Sequence, residues 1–495
     1  MDKHMILYRG SLKSCNYQCS YCPFSKHSIS QRELEKDQAQ WFSFVKNVQK
    51  KAKIMNIGAL MVVPYGEAMI HSWYWEGLAW LSAHIEIDAI GIQTNLSFSV
   101  QEFLDCYIKT GGILKKLRLW ATFHPEMTTV TEFSAKCRML AQEGVQLCAG
   151  SVGVPENLNL LQTLKQELNL LKEDKNGIYL WVNKMDGLRR SYTQKELTAF
   201  LEIDPYFGRE LMLVSSNKAL CEGRLFVEAD GKLRTCNISS VLTTQKCWEE
   251  LEDFPSPECC RKQCSCYLAY GGRNDFMNQI LFGPYPLFRI PRRPKAVFLD
   301  IEGTLLPNKG STKIPSNIMS GLEALVREKI PLFFATTLPY KKAMERCRGI
   351  YHLFSGGIFA GGAHVMLKQK REYFYVLNGI WLPEVLSLQQ EFGFRALVYR
   401  NHEKLYKVTL LRPSHRFWNV QETEELMQRI SFEDEAIRYF IEENCLQIVS
   451  AKADKASGLK MICHWLEISP KEVASAGDSE EDKKMMCLSG SVSSG

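Results

Sequence analysis

The sequence has no apolar run near the ~18 residues that a membrane-spanning helix needs. Its opening, MDKHMILYRG, lacks the apolar stretch and small-residue cleavage site of a secretory signal, so the expected location is cytoplasmic. It also lacks a strong charge. Its 61 Lys and Arg stand against 55 Asp and Glu, which leaves +6 over 495 residues. The basic residues are scattered, apart from a short run at Arg289, Arg292, Arg293 and Lys295 that reads as a solvated linker. Neither a nucleic acid nor a membrane is expected as an obligatory partner. Internal repeats and low-complexity tracts are missing too.

What is present is an apolar fraction of 45%, enough for a real core. The length suits roughly two to four domains. Of 17 cysteines, thirteen fall before residue 270, several in clusters. In a reducing compartment, clustered thiols hold metal more often than they form disulfides.

Strand-like apolar runs occupy Met5–Gly10, Gly58–Pro64, Ala89–Thr94, Leu117–Phe123, Val145–Val154 and Ile178–Asn183, with amphipathic helical stretches between them. This alternation predicts an α/β unit, a partial (βα)6 TIM-like barrel, with chemistry on the loops at the C-terminal strand ends. A Cys-rich extension follows at 220–275, then a proline-rich, basic segment at 276–295 that reads as a linker. Strand–helix alternation resumes at AVFLDIEGTLL. The expected domains are thus 1–219, 220–275 and 296–495.

The segment SCNYQCSYCPF places Cys15, Cys19 and Cys22 in C-x3-C-x2-C spacing directly after the first strand. Three thiolates on one loop can hold a [4Fe–4S] cluster and leave one iron open. The motif CNYQCSYC, with Tyr21 before its last cysteine, resembles the radical S-adenosylmethionine (SAM) superfamily over roughly residues 1–290. That resemblance implies that the open iron chelates SAM, that an electron donor such as flavodoxin or ferredoxin reduces the cluster, and that a 5′-deoxyadenosyl radical attacks a substrate. It also implies cofactor contacts at later strand ends. Gly66 and Glu67 match part of a Gly-Gly-Glu-Pro segment, while Tyr65 and Ala68 depart from it. Thr94 and Asn95 resemble a Thr-Asn-Gly turn. His124 ends strand four, Gly153 and Glu156 fit the tail of a glycine-rich motif, and Asn183 with Lys184 ends strand six.

Cys221 and Cys236 flank an expected hairpin with its turn at Asp230 and Gly231, and Cys259, Cys260, Cys264 and Cys266 follow. Their layout resembles the auxiliary-cluster extensions of SPASM or twitch type, with C-x3-C-x-C where C-x2-C is usual. Cys221, Cys236, Cys260 and either Cys264 or Cys266 are the expected ligands; structural zinc and metal-free thiols are the alternatives. Cys106, Cys137, Cys148 and Cys247 read as ordinary thiols.

In the last 200 residues, AVFLDIEGTLLP puts Asp300 at a strand end, where a carboxylate can act as nucleophile. A phosphate target then calls for Mg2+ and a lysine. Asp478 and Asp482 in AGDSEED, Lys455 in KADKASGLK and Thr336 in LFFATTLP supply these parts. In this order the four pieces resemble the haloacid dehalogenase (HAD) superfamily, closest to its sugar-phosphatase-like members. The resemblance implies a Rossmann-like domain with an inserted α+β cap at about 340–450. It implies that Asp300 forms an aspartyl-phosphate, Glu302 serves as acid and base, and Thr336 binds phosphate. Lys455, or less favourably Lys452, neutralises charge, while Asp478 binds Mg2+ with support from Asp482. Glu302 replaces the usual Asp, Leu338 replaces a common arginine, and CLSGSVSSG ends where another strand is usual.

The expected function is a radical SAM enzyme fused to a Mg2+-dependent phosphatase acting on a small phosphorylated metabolite. The alternatives are a peptide or protein maturase whose HAD domain is structural, and a HAD domain that senses a ligand.

Overall fold

The computed structural model describes residues 3–20, 22, 28–170, 177–211, 214–215, 223–234, 247–255, 263–264, 276–308, 310–432 and 435–494. The chain forms two compact units, Met1–Arg292 and Arg293–Gly495. Both are mixed α/β with parallel sheets.

In the first unit the six expected strands are β1 (His4–Arg9), β2 (Ile57–Val62), β3 (Ala89–Thr94), β4 (Leu117–Thr122), β5 (Gln146–Val152) and β6 (Leu180–Asn183). They pair in sequential order, each parallel to the next. β2 is buried along its whole length, as strands covered on both faces must be. Helices return the chain between strands, and several start where the sequence offers Ser or Thr three residues before Glu. Ser30 with Glu33, Thr129 with Glu132 and Thr193 with Glu196 form reciprocal capping boxes. Each such cap contributes about 1 kcal/mol and fixes where the chain leaves a loop.

Beyond β7 (Val214–Ser215), the hairpin of β8 (Arg224–Glu228) and β9 (Leu233–Arg234) departs from expectation. β8 pairs parallel to β1, so the start of the Cys-rich region extends the same sheet to eight strands. Its turn contains Gly231 at φ +81°. β10 (Gln263–Cys264) pairs antiparallel with β7.

The segment expected to be a solvated linker packs instead into the first unit. Phe276–Phe282 is a helix, and Phe288 and Arg289 are buried. The Phe288 ring lies where a side chain on Gly91 would sit, 2.5 Å from its ideal Cβ position. The Arg289 guanidinium stacks 3.7 Å over the Trp181 ring and pairs with Glu210 at 2.6 Å. Local composition cannot anticipate this, because the partners come from distant strands.

In the second unit a seven-stranded sheet runs through β11 (Val297–Leu299), β12 (Leu332–Ala335), β13 (Phe354–Phe359), β14 (His364–Leu367) and β15 (Arg371–Phe374). On the other side of β11 lie β20 (Ala474–Gly477) and β21 (Ser491–Ser494). β11 pairs parallel to both β12 and β20, so strand order reverses at this point. Loops at the C-terminal ends of such neighbouring strands open a crevice, where α/β sheets bind ligands.

Between β15 and the helix Lys455–Leu466 an inserted module carries β16 (Arg395–Asn401), β17 (Lys404–Leu411), β18 (Ile437–Glu442) and β19 (Cys445–Ser450). These form an antiparallel sheet in the order β16-β17-β19-β18, with a hydrophobic core of its own around Trp381, Leu410 and Leu426. The insertion is shorter than expected, because β13 to β15 pair within the main sheet. The edge strand expected to be missing is present as β21, parallel to β20.

Among the described residues no helix is long and apolar enough to cross a membrane.

Candidate functional site

The second unit gathers its acidic residues at the strand-order reversal. Asp300 directly follows β11, and its N–H donates to the Ala476 carbonyl at 3.0 Å. Asp478 directly follows β20. Asp482 lies in the first turn of the helix Glu480–Leu488 and accepts from Ser479 N at 3.1 Å. Carboxylate oxygens of Asp300, Asp478 and Asp482 all lie within 4.8 Å of one another. Lys455, at the start of its helix, reaches into the group. Its Nζ donates to Asp300 Oδ1 at 3.0 Å and to Asp482 Oδ1 at 2.7 Å.

Burial pushes the Asp300 carboxyl up to about 7, the Lys455 cation opposes that rise, and the Asp482 charge adds to it. Burial, with Asp482 beside it, likewise raises Asp478. Lys455 is held well above the ordinary lysine range, because the two carboxylates more than offset its desolvation. Lys452 is exposed, and of the two lysines it is Lys455 that bonds Asp300 and Asp482.

Two glycines make room here. Gly303 has φ +80°, and a Cβ on it would stand 1.8 Å from Asp478 Oδ2. A Cβ on Gly477 would stand 2.2 Å from Asp482 Cγ. Three hard oxygen donors converging in this way fit Mg2+, which favours carboxylates over sulfur or nitrogen.

Thr336 follows β12, beside the end of β11. Its backbone N–H donates to the Ile358 carbonyl at 2.8 Å, and its Oγ1 accepts from Leu338 N at 3.1 Å. Leu338, which departs from the common arginine, thus takes part through its backbone. Glu302 pairs with Arg346 at 3.2 Å.

Sequence reasoning missed Arg346 and two cations of the insertion. Lys407 of β17 is buried and donates to the Thr337 carbonyl at 2.6 Å. Arg438 of β18 donates to the Ala453 and Gly361 carbonyls at 3.1 Å each and to Glu481 at 2.5 Å. Neither carries a sequence signal beyond standing in an alternating strand.

In the first unit the loop after β1 carries the three spaced cysteines. Its entry is fixed by Asp37, buried on the helix Gln31–Lys51, which accepts from Ser11 N at 2.9 Å, Leu12 N at 3.1 Å and Tyr74 OH at 2.9 Å. Cys15 Sγ accepts from Tyr17 N at 3.4 Å and from Asn95 Nδ2 at 3.7 Å. Burial raises the Cys15 thiol, opposed by the Tyr17 hydrogen bond and, more weakly, by Asn95. The Cys22 N–H donates to the Cys19 carbonyl at 3.1 Å.

The ends of the next strands close on this loop. Gly66 abuts it so tightly that a Cβ would stand 1.8 Å from the Ser14 carbonyl oxygen. Buried Glu67 accepts from Thr94 Oγ1 at 2.9 Å, Met69 N at 2.9 Å and Asn95 N at 2.5 Å. Burial pushes the Glu67 carboxyl up to about 7 in spite of these three donors. The His124 ring meets the Tyr17 ring edge to face at 5.9 Å, and burial drives the imidazole down to about 4. Glu126, which sequence reasoning did not single out, accepts from Ser20 N at 2.7 Å.

Gly66, Glu67, Thr94, Asn95 and His124 therefore surround the thiol loop. Gly153 N donates to the Asn183 carbonyl at 2.7 Å, tying the ends of β5 and β6 to each other, and Glu156 is exposed. Cys221, Cys236, Cys259, Cys260 and Cys266 lie outside the described residues, and of Cys264 only the backbone in β10 is described. Cys137 and Cys148 are buried thiols.

A family model described as haloacid dehalogenase-like hydrolase matches residues 397–492, a stretch containing Lys455, Asp478 and Asp482. The second unit thus carries a HAD-like hydrolase domain at the C-terminal end of the chain. No curated protein matches the chain. Among solved structures, a HAD subclass IIB sugar phosphatase is similar at 19% identity, covering 40% of this chain and 86% of its own, with a TM-score of 0.34. A haloacid dehalogenase-like hydrolase from B. subtilis is similar at 16% identity, covering 40% and 88%, with a TM-score of 0.34. One from Bacteroides thetaiotaomicron is similar at 18% identity, covering 40% and 86%, with a TM-score of 0.32.

Proposed function

We propose that the second unit is a Mg2+-dependent phosphatase for a small phosphorylated metabolite, and that the first is a radical SAM enzyme acting in the same chemistry. The observation that carries the phosphatase reading is Lys455 bridging Asp300 and Asp482 with Asp478 alongside. A buried carboxylate kept available beside a fixed cation suits attack on phosphorus.

In this reading Asp300 attacks the phosphorus, the bond to the leaving alcohol oxygen breaks, and an aspartyl-phosphate forms. Water then attacks its phosphorus, releasing inorganic phosphate and the free carboxylate. Glu302 gives a proton to the leaving oxygen and takes one back from that water. The Thr336 hydroxyl, whose oxygen accepts from Leu338 N, donates its hydrogen to a phosphoryl oxygen. Asp300 and Asp478, with Asp482 behind them, would hold Mg2+, whose charge offsets repulsion between the carboxylate and a phosphate dianion.

For the first unit, Cys15, Cys19 and Cys22 would hold a [4Fe–4S] cluster. Their fit rests on the loop geometry, with donors already aimed at Cys15 sulfur from Tyr17 and Asn95. Hydrogen bonds to sulfur tune such clusters. Gly66, Glu67, Thr94, Asn95, His124, Gly153 and Glu156 are the residues assigned to SAM. When bound, cluster and SAM supply a carbon-centred radical that takes a hydrogen atom from the substrate, with a protein such as flavodoxin or ferredoxin as electron donor.

Mg2+-dependent phosphate release that disappears in Asp300→Asn is the expected result for the second unit; release unchanged by that substitution overturns it. For the first, anaerobically reconstituted and reduced protein is expected to make 5′-deoxyadenosine, and Cys15→Ala/Cys19→Ala/Cys22→Ala to make none. Protein that carries iron and sulfide yet makes none overturns the radical reading. Iron stopping at about four per chain removes an auxiliary cluster from the proposal.

A further inference from the structure

Beside the thiol loop, where β1 and β8 end, the first unit opens a cleft of about 430 Å3. That volume lies within the range of small-molecule sites, roughly 300–1,000 Å3. Its deepest charged group is Arg9, the last residue of β1, only 8% exposed. Arg9 is held rigidly. Its Nε donates to the Val63 carbonyl at 3.1 Å, and its guanidinium lies 4.0 Å over the Tyr65 ring and 5.0 Å from that of Phe226. Among the described residues neither terminal guanidinium nitrogen has a hydrogen-bond partner, and neither is shut off from solvent. Arg9 lines the cleft, and these two nitrogens keep their donors available to a bound molecule.

Lys13 and Lys36 stand exposed at the cleft wall, and among the described residues neither is in an ion pair. The three carboxylates of the same wall are each engaged. Glu33 accepts from Ser30 N and Oγ at 2.8 and 2.7 Å. Glu228 pairs with Arg234 at 2.7 Å, and Asp230 with Lys232 at 2.6 Å. Glu33 keeps its charge, since Ser30 is neutral; with Arg234 and Lys232 counted, five cations face three carboxylates around a pre-oriented planar fork. A guanidinium edge of this kind matches two oxygens of a phosphoryl group, and stacking lowers the entropy lost on binding.

We propose that this cleft binds the phosphoryl group of the metabolite on which the first unit acts. The inference rests on the radical reading for the role of the bound molecule, but not for the binding itself. Gly10, Ser11 and Lys13, which line the cleft, lead directly into Cys15, which puts a phosphate anchored here next to the start of the thiol loop. The chemistry of the two units then coheres: the phosphate that anchors the substrate in the first is the group the second removes.

The test is hydrogen–deuterium exchange on the full chain without added metal, titrated with inorganic phosphate and with glucose 6-phosphate. Slowed exchange is expected in peptides covering Arg9–Lys13 and Glu33–Gln40, with a midpoint raised at least about tenfold in Arg9→Met. Lys13→Met/Lys36→Met changes exposed side chains alone and is expected to raise the midpoint several-fold, which keeps the test valid if Arg9→Met unfolds. Glucose is expected to have no effect. The proposal is overturned by unaltered exchange in both peptides, by equal protection with glucose, or by unchanged midpoints in a folded variant. Because the readout needs no cluster, absence of 5′-deoxyadenosine would sink the radical reading while leaving this site standing.

Discussion

Lys455 Nζ lies 3.0 Å from Asp300 Oδ1, joining residues 155 positions apart at the ends of two different elements. Both are almost wholly buried, so each charge depends on the other for compensation. Lys455→Met is therefore expected to abolish phosphate release and to lower stability of the second unit by about 3–5 kcal/mol, because breaking a buried pair strands a charge. Calorimetry of the unit's unfolding, alongside a phosphate-release assay, checks both parts; an unchanged transition contradicts the pairing.

Gly303 offers a sharper test of the acidic group. Any side chain there meets both a left-handed backbone, φ +80°, and the Asp478 carboxylate. Gly303→Ala is expected to raise the Mg2+ concentration needed for half-maximal phosphate release by about tenfold or more, a shift of at least ~1.4 kcal/mol. Activity titrated against Mg2+ reads this directly.

Glu67 holds the ends of β2 and β3 together by accepting from three donors. Glu67→Ala leaves the Asn95 and Met69 amides and the Thr94 hydroxyl without that acceptor, at about 1–3 kcal/mol for each that stays buried. Destabilisation of the first unit is expected even without any cofactor. Glu67→Gln, which keeps one acceptor oxygen, should lose less. Denaturant unfolding of both variants orders them, and equal losses would argue against the hydrogen-bond account.

Lys407 yields a prediction in pH. Burial pushes its ammonium down to about 7, against the opposing pull of Glu442. An unfolded lysine titrates near ~10.4, so between about 7 and 10.4 the unfolded chain binds the extra proton. Stability of the second unit should accordingly rise with pH across that window. Lys407→Met removes the dependence and is expected to stabilise the unit at pH 7 by on the order of 2 kcal/mol, with the gain shrinking towards pH 10. Melting curves at the two pH values decide it; a gain that grows with pH contradicts the sign.

Much of this architecture was legible in local pattern. Apolar runs located β1 to β6 to within a few residues, because strands buried on both faces must be apolar throughout. Motif spacing singled out Asp300, Lys455, Asp478 and Asp482, since each follows an apolar strand or opens a helix. Two segments misled. Residues 276–292 looked like a linker because proline and arginine usually mean solvent, yet Gly91 leaves space for Phe288, and Trp181 and Glu210 receive Arg289. The insertion seemed to begin near 340 because nothing in the sequence distinguishes a strand that pairs with the main sheet from one that pairs within the module.

By itself the sequence determined the elements, their order, and which loops carry thiols and carboxylates, because periodicity, caps and motif spacing act over a few residues. Only the tertiary structure decided which of those groups meet. It chose Lys455 over Lys452, set Asn95 against Cys15, buried Lys407 against Thr337, and left Arg9 with open donors over a cleft. Such pairings depend on strand order and on packing across dozens of residues, where the favourable contact is set by burial and geometry rather than by neighbours in the chain.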